Sequence, residues 1–128
     1  MAYILVIDDD KNVRAFICSV LEADGHSVRE ARDGVEGMWA FVERRPDLVV
    51  CDVFMPRRDG LNVVRDIRDR SADVPIVLIS GGSGHGDLLP IDFQNVAQTI
   101  GATRGLTKPF TVQELQAIVR EVLQGPPR

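Results

Sequence analysis

The chain has 128 residues, room for one domain with its own core and little room for two. Apolar residues make up 45% and charged residues 27%, the balance of an ordinary soluble globular protein whose core needs no staples. The net charge of −4 and pI of about 5.1 exclude an overall basic field that would pull the chain onto nucleic acid, so no nucleic-acid partner is expected.

Local basic pairs, Arg44-Arg45 and Arg57-Arg58, read as solvated faces or partner contacts. Cys18 and Cys51 are far apart and form no CxxC pair, which suits two reduced thiols in a cytosolic protein. The apolar run Ala2–Ile7 is too short for a signal segment and lacks a basic flank. No apolar stretch is long enough to span a bilayer, so the expected location is cytoplasmic, away from membranes.

In chain order, Tyr3–Ile7 is a continuous apolar run ending at acids, the pattern of a buried central strand. Lys11–Ala23 has helical period, with Val13, Phe16, Ile17, Val20 and Leu21 on one stripe and Gly25 as its stop. Ser27–Ala31 is a short, more polar strand of edge type. Val35, Met38, Trp39 and Val42 mark a second helix that Pro46 closes; Trp39 at this spacing reads as core or partly buried. Leu48–Cys51 is a second buried strand, and Leu61–Arg68 a third helix. Pro75 opens the strand Ile76–Ser80.

Leu89, Phe93, Val96 and Ile100 trace a fourth helix stopped by Gly101, with Pro90 tolerable only in its first turn. Thr103–Thr107 is a short, weak strand. Thr111 caps a last helix carrying Val112, Leu115, Val119 and Val122, and Glu114 completes a capping box. Five strands and five helices in strict alternation, joined by right-handed crossovers, give a doubly wound α/β sheet. Residues 1–124 form the expected domain, and 125–128 a tail.

In open parallel sheets ligands bind at the carboxyl ends of the strands. Those ends carry Asp8-Asp9 after the first strand, Asp52 after the third, Ser80 after the fourth and Lys108-Pro109 after the fifth. Two carboxylates about 4 Å apart repel by roughly 4 kcal/mol at an effective dielectric near 20. Such a cluster holds either protons or a cation. Hard oxygen ligands with room for water suit Mg²⁺. A carboxylate beside that ion can attack phosphorus, leaving Lys108 to pair with one phosphoryl oxygen and Ser80 to bond another. The plainer readings are helix capping for the first acids, which suits Asp10 best, and a loop start for Ser80. His26 and His85 read as surface histidines, and Cys51 as an inert buried thiol.

The runs Ile4-Leu5-Val6-Ile7-Asp8-Asp9-Asp10, Asp47–Pro56 with Asp59-Gly60, Pro75–Ser80 and Lys108-Pro109-Phe110 resemble, over nearly the whole chain, the receiver domain of bacterial two-component response regulators. The resemblance implies the flavodoxin-like fold, a (βα)5 chain with a five-stranded parallel sheet of order 2-1-3-4-5. It implies that Asp52 is the phosphoacceptor and that the product is an aspartyl phosphate. It gives Asp9 direct contact with Mg²⁺, Asp8 contact mainly through a metal-bound water, and the backbone carbonyl of Phe54 a further ligand position. Phosphoryl binding and switching fall to Ser80, Gly81 and Lys108, with Pro109 shaping the turn. The implied donor is a phosphohistidine on a sensor histidine kinase or histidine phosphotransfer protein. The downstream protein target is unnamed by the sequence. Docking is expected on the fourth helix, fifth strand and fifth helix, with the first helix meeting the phosphodonor.

Three positions depart from the family's pattern. Gly105 stands where receivers often carry the Tyr or Phe that moves inward with the Ser or Thr. The connection Ser80–Asp87 is long and rich in glycine, which is costly to order, and is expected to order when Ser80 engages phosphate. Phe54 and Gly82 occupy sites that adjust access of the attacking water, and apolar Phe54 cannot orient one. The leading expectation is a stand-alone receiver that signals by docking and is not an enzyme with turnover. Two alternatives stand beside it: a degenerate receiver that binds partners without phosphorylation, kept open by Gly105, and a Mg²⁺-dependent phosphohydrolase using Asp8-x-Asp10.

Overall fold

The computed structural model describes residues 1–55, 58–81 and 93–125. The chain alternates β1 (Tyr3–Ile7), α1 (Lys11–Ala23), β2 (Ser27–Ala31), α2 (Gly34–Glu43), β3 (Leu48–Asp52), α3 (Gly60–Arg70), β4 (Ile76–Ser80), α4 (Phe93–Thr99), β5 (Arg104–Thr107) and α5 (Val112–Gln124). The strands form one parallel sheet of order β2-β1-β3-β4-β5, the flavodoxin-like arrangement expected from the sequence.

Strand alternation divides the core in two. Ile4, Val6, Leu48, Val50, Val77 and Ile79 face α1 and α5, against Ile17, Leu21, Leu115 and Val119. Leu5, Ile7, Val49, Cys51, Ile76 and Leu78 face the other layer, against Phe41, Val63, Ile67, Phe93 and Ala97 of α2, α3 and α4. Because both faces are covered, β1, β3 and β4 read as unbroken apolar runs rather than alternating ones. The capping box at Thr111 and Glu114 forms, with Glu114 N–H donating to Thr111 Oγ1 at 3.0 Å and Thr111 N–H donating to Glu114 Oε1 at 2.9 Å.

Two helical stripes differ from expectation. On α2 the stripe of Val35, Trp39 and Val42 faces outward, with Trp39 77% exposed; Gly34, Gly37, Ala40 and Phe41 are buried instead. A Cβ at Gly37 would lie 2.5 Å from Ile7 Cδ1. The helix therefore sits on β1 through its small-residue face, and that close approach turns the bulkier stripe to solvent. On α1, Cys18 takes a core place while Phe16 is exposed and leans on Phe110, ring centroids 6.0 Å apart. Smaller differences concern the ends. β3 extends to Asp52, α3 spans Gly60–Arg70, and Ile100 lies in the turn after α4. His26 is half-buried, and its Nδ1 accepts from the Ala2 N–H at 3.1 Å. The expected helical positions Leu89 and Pro90 lie outside the described residues.

Among the basic pairs, the Arg44 guanidinium lies 3.9 Å from the Tyr3 ring centroid, Arg45 lies 5.4 Å from that of Phe41, and Arg58 pairs with Asp66. Arg57 lies outside the described residues. Among the described residues no helix is long and apolar enough to cross a membrane.

Candidate functional site

The site forms where four strand ends meet. Asp8 leaves β1 directly after Ile7, which pairs with Cys51 on β3; Asp52 closes β3 opposite Ile79, and Ser80 closes β4 opposite Thr107. Lys108 is the next residue after β5, and its N–H donates to the Ser80 carbonyl at 2.7 Å. Parallel pairing of adjacent strands thus brings residues from distant parts of the chain to one rim.

The side chains converge. Lys108 Nζ stands 3.3 Å from Asp52 Oδ1 and 3.5 Å from Asp8 Oδ2. Asp8, Asp9 and Asp52 each offer a carboxylate oxygen within 4.8 Å of the others. Asp8, Asp52 and Ser80 are buried, while Asp9 is exposed at the mouth. Asp8 is fixed locally: its Oδ1 accepts from the Asp10 N–H at 2.9 Å, and its carbonyl accepts from Arg14 Nη1 at 2.7 Å. Asp10 turns away from the rim, its Oδ1 accepting from the Asn12 and Val13 N–H groups to cap α1.

Burial and the neighbouring charge of Asp8 push the Asp52 carboxyl up to about 7 from its ordinary 3.8, against the pull of Lys108. Asp8 is raised too, chiefly by burial, opposed by its bond from Asp10 and by Lys108. One ammonium does not neutralise the cluster. Asp8 Oδ2, Asp52 Oδ1 and Ser80 Oγ are buried without a hydrogen-bond partner. Crowded oxygen-only donors fit a hard divalent cation such as Mg²⁺. Such an ion would rest on Asp8, Asp9 and Asp52 and would neutralise their crowded charge.

Gly81 and Pro109 shape the floor. Gly81 has φ +111°, and a Cβ there would come within 3.0 Å of the Lys108 carbonyl, so glycine alone admits this approach. The Lys108–Pro109 peptide is cis. Phe54 lies two residues beyond Asp52, half-buried against the core. Gly105 is not at the rim: it sits inside β5, under Phe93 of α4. Gly82 and His85 lie outside the described residues.

Both thiols are buried and their pKa values raised mainly by burial, Cys18 to about 12, which leaves neither poised to react. Two residues escape a reading of motifs. Gly60 lies behind Asp52, where a Cβ would be 2.3 Å from the Asp52 carbonyl oxygen. Its place one residue after Asp59 marked it only as part of a motif. Gln94 bonds both backbone groups of Gly105, and nothing in its sequence context signals this.

The fold and rim define a flavodoxin-like α/β domain with an acidic, lysine-bearing site. The response regulator receiver domain family matches residues 4–120, and the chain belongs to that family. It is 39% identical over 121 residues to the response regulator MprA of Mycobacterium sp. strain KMS, covering 94% of this chain and 50% of that protein. It is 36% identical over 124 residues to the KDP operon transcriptional regulatory protein KdpE of Escherichia coli K12, covering 97% of this chain and 52% of that protein. The chain thus spans about half the length of these relatives. A response regulator receiver domain protein from Clostridium thermocellum superposes with a TM-score of 0.84 at 32% identity, covering 97% of this chain and 95% of that one.

Proposed function

We propose that this receiver domain accepts a phosphoryl group on Asp52 from the phosphohistidine of a sensor histidine kinase or histidine phosphotransfer protein. The observation that carries this is Asp52 itself: a carboxylate ending a central strand, 97% buried, its unbonded Oδ1 3.3 Å from Lys108 Nζ. An Asp52 oxygen forms the new P–O bond as the P–N bond breaks, and the imidazole nitrogen leaves with the electron pair. Lys108 neutralises one phosphoryl oxygen and the Ser80 hydroxyl donates to another. Mg²⁺ would be held by Asp8, Asp9 and Asp52, with the Phe54 carbonyl as a further donor.

The phosphorylated domain, residues 1–124, signals from the cytoplasm by docking on a protein target and turns over no substrate. Against a phosphohydrolase working through Asp8-x-Asp10, Asp10 is committed to the cap of α1. Incubation with Mg²⁺ and acetyl phosphate, followed by peptide mapping, tests the assignment. One phosphoryl mass on the peptide holding Asp52, absent in Asp52→Asn and absent without Mg²⁺, is the expected result. Equal labelling of Asp52→Asn would refute it.

A further inference from the structure

The outermost strand β2 holds Asp8 by both of its backbone groups. The Asp8 N–H donates to the Ala31 carbonyl at 3.1 Å. The Asp8 carbonyl accepts from Arg14 Nη1 at 2.7 Å, and Arg14 Nε donates to Glu30 Oε1 at 3.0 Å. Glu30 and Ala31 are neighbours on β2, which lies at the end of the sheet beside β1. Ala31 therefore holds Asp8 directly, and Glu30 holds it through the Arg14 guanidinium.

Asp8 is 1% exposed, so its carbonyl requires a donor from the protein. That carbonyl lies in the turn between β1 and α1, ahead of the helical bond from the Arg14 N–H to the Asp10 carbonyl. Arg14 stands in the first turns of α1, its side chain 15% exposed against 54% for Glu30. A guanidinium is planar and carries its donors in a fixed fork, so a bond from Nε to Glu30 sets the direction of Nη1. A lysine ammonium is a point charge on a flexible stem and sets no such direction.

The consequence falls on the carboxylate. Its Oδ1 accepts from the Asp10 N–H at 2.9 Å, so the backbone N–H, the backbone carbonyl and Oδ1 are all engaged. Oδ2 is left without a hydrogen bond, 3.5 Å from Lys108 Nζ, in the group where Asp8, Asp9 and Asp52 each offer an oxygen within 4.8 Å of the others. We propose that Arg14, oriented by Glu30, is a positioning residue for Mg²⁺: it fixes the Asp8 backbone so that the carboxylate is aimed at Asp9 and Asp52. The role rests on the reading of these three acids as the metal site. Groups that orient metal ligands govern affinity without touching the ion. An Asp8 released from Arg14 keeps its charge but not its direction.

Mg²⁺ titration followed by NMR amide shifts, and amide hydrogen exchange in EDTA, test this on the wild type, Arg14→Met, Arg14→Lys and Glu30→Gln. Arg29→Met is the control, since the exposed Arg29–Glu43 pair starts from the same strand and leads to α2. Arg14→Met keeps an apolar stem and removes the donors. It should bind Mg²⁺ about tenfold more weakly, the low end for loss of an outer partner of a metal ligand. Its Asp10 N–H should exchange faster in EDTA, because the bond to Asp8 Oδ1 loosens. Arg14→Lys should recover part of both losses. Glu30→Gln still accepts from Arg14 Nε, without a charge, and should lose less than Arg14→Met. Arg29→Met should match the wild type in both measurements. Unchanged Mg²⁺ affinity and Asp10 exchange in Arg14→Met, or the same losses in Arg29→Met, make Arg14 a structural contact only and overturn the proposal. If Arg14→Met does not fold, Arg14→Lys and Glu30→Gln must still bind Mg²⁺ more weakly than Arg29→Met, and equal binding in all three overturns it. A wild type that binds no Mg²⁺ overturns the metal reading instead, and Asp10 exchange then decides whether Arg14 holds Asp8.

Discussion

The centre of the sheet and its β5 edge each supply half of one site, by different means. At the centre, Asp8 and Asp52 ride on β1 and β3, which pair with neighbours on both sides and are covered on both faces. Their positions follow from backbone pairing and apolar burial. At the edge, Lys108 arrives on a four-residue strand paired on one side and closed on the other by a glutamine from α4. Its position follows from tertiary contacts as well as pairing. If those contacts yield more readily than the paired centre, the acids are the fixed half of the charge balance and the cation is the adjustable half.

If the centre is rigid, the burial and mutual repulsion of its carboxylates must show in stability. Asp52 in the folded chain titrates at about 7 against an ordinary 3.8, so between those values the folded state holds a proton that the unfolded state has released. By linkage, stability in EDTA is highest near pH 4 and falls as pH rises through about 7. The whole swing is on the order of 4 kcal/mol, at about 1.4 kcal/mol for each pKa unit. Asp8, raised in the same direction, adds to the slope. Mg²⁺ takes the proton's place and should flatten the curve between about pH 4 and 7. Denaturant midpoints between pH 4.5 and 8, roughly the span of linkage at a raised carboxylate, measure this with and without Mg²⁺. A flat curve in EDTA, or the same slope in Asp52→Asn, would show the carboxylates to be relaxed.

The next largest effect probes the same rigidity from behind. Gly60→Ala puts a methyl 2.3 Å from the Asp52 carbonyl oxygen and 2.8 Å from Val53 Cα. Both are backbone atoms at the end of a central strand, with no side chain to swing aside. The expected cost is about 3 kcal/mol, the upper end for overpacking, seen as a lower denaturant midpoint. Mg²⁺ affinity, followed by titration, should weaken with it, because Asp52 is pushed off its register. A loss under about 0.5 kcal/mol, the ordinary range for surface changes, would mean the centre yields as easily as the edge.

The contrast also marks what the sequence could show. Unbroken runs such as Ile4–Ile7 and Leu48–Cys51 announce strands buried on both faces, and the polar residues that follow them must fall at one rim. Asp8, Asp9, Asp52 and Ser80 were legible for that reason, and Lys108 as the residue that follows a short, weak strand. Trp39 was not, because α2 has two apolar stripes and periodicity does not say which one the sheet takes. Gly37 decides it, through its contact with Ile7. Gly105 was visible only as a missing aromatic. What fills its place, the Phe93 ring and the Gln94 amide, comes from another element, and a single sequence holds no pattern for such a pairing.

Gly105→Ala is the smallest of these effects and the sharpest test of the difference between the two halves. Its Cβ would meet Phe93 at 2.8 Å and Ala97 Cβ at 3.1 Å, an overlap nearly as severe on paper as that at Gly60. Here, however, the opposing atoms belong to side chains of α4, whose buried residues are Phe93 and Ala97. The helix can retreat, so the cost should be near the low end for overpacking, about 1 kcal/mol. Retreat stretches both bonds to Gln94, so exchange of the residue 105 amide should quicken while Asp52 keeps its raised pKa and Mg²⁺ binding is unchanged. Comparison of the two glycine variants by denaturant midpoint and Mg²⁺ titration decides the matter. Equal stability losses, or a loss of Mg²⁺ binding in Gly105→Ala, would mean that edge and centre form one stiff unit, and that the lysine is no more adjustable than the acids it faces.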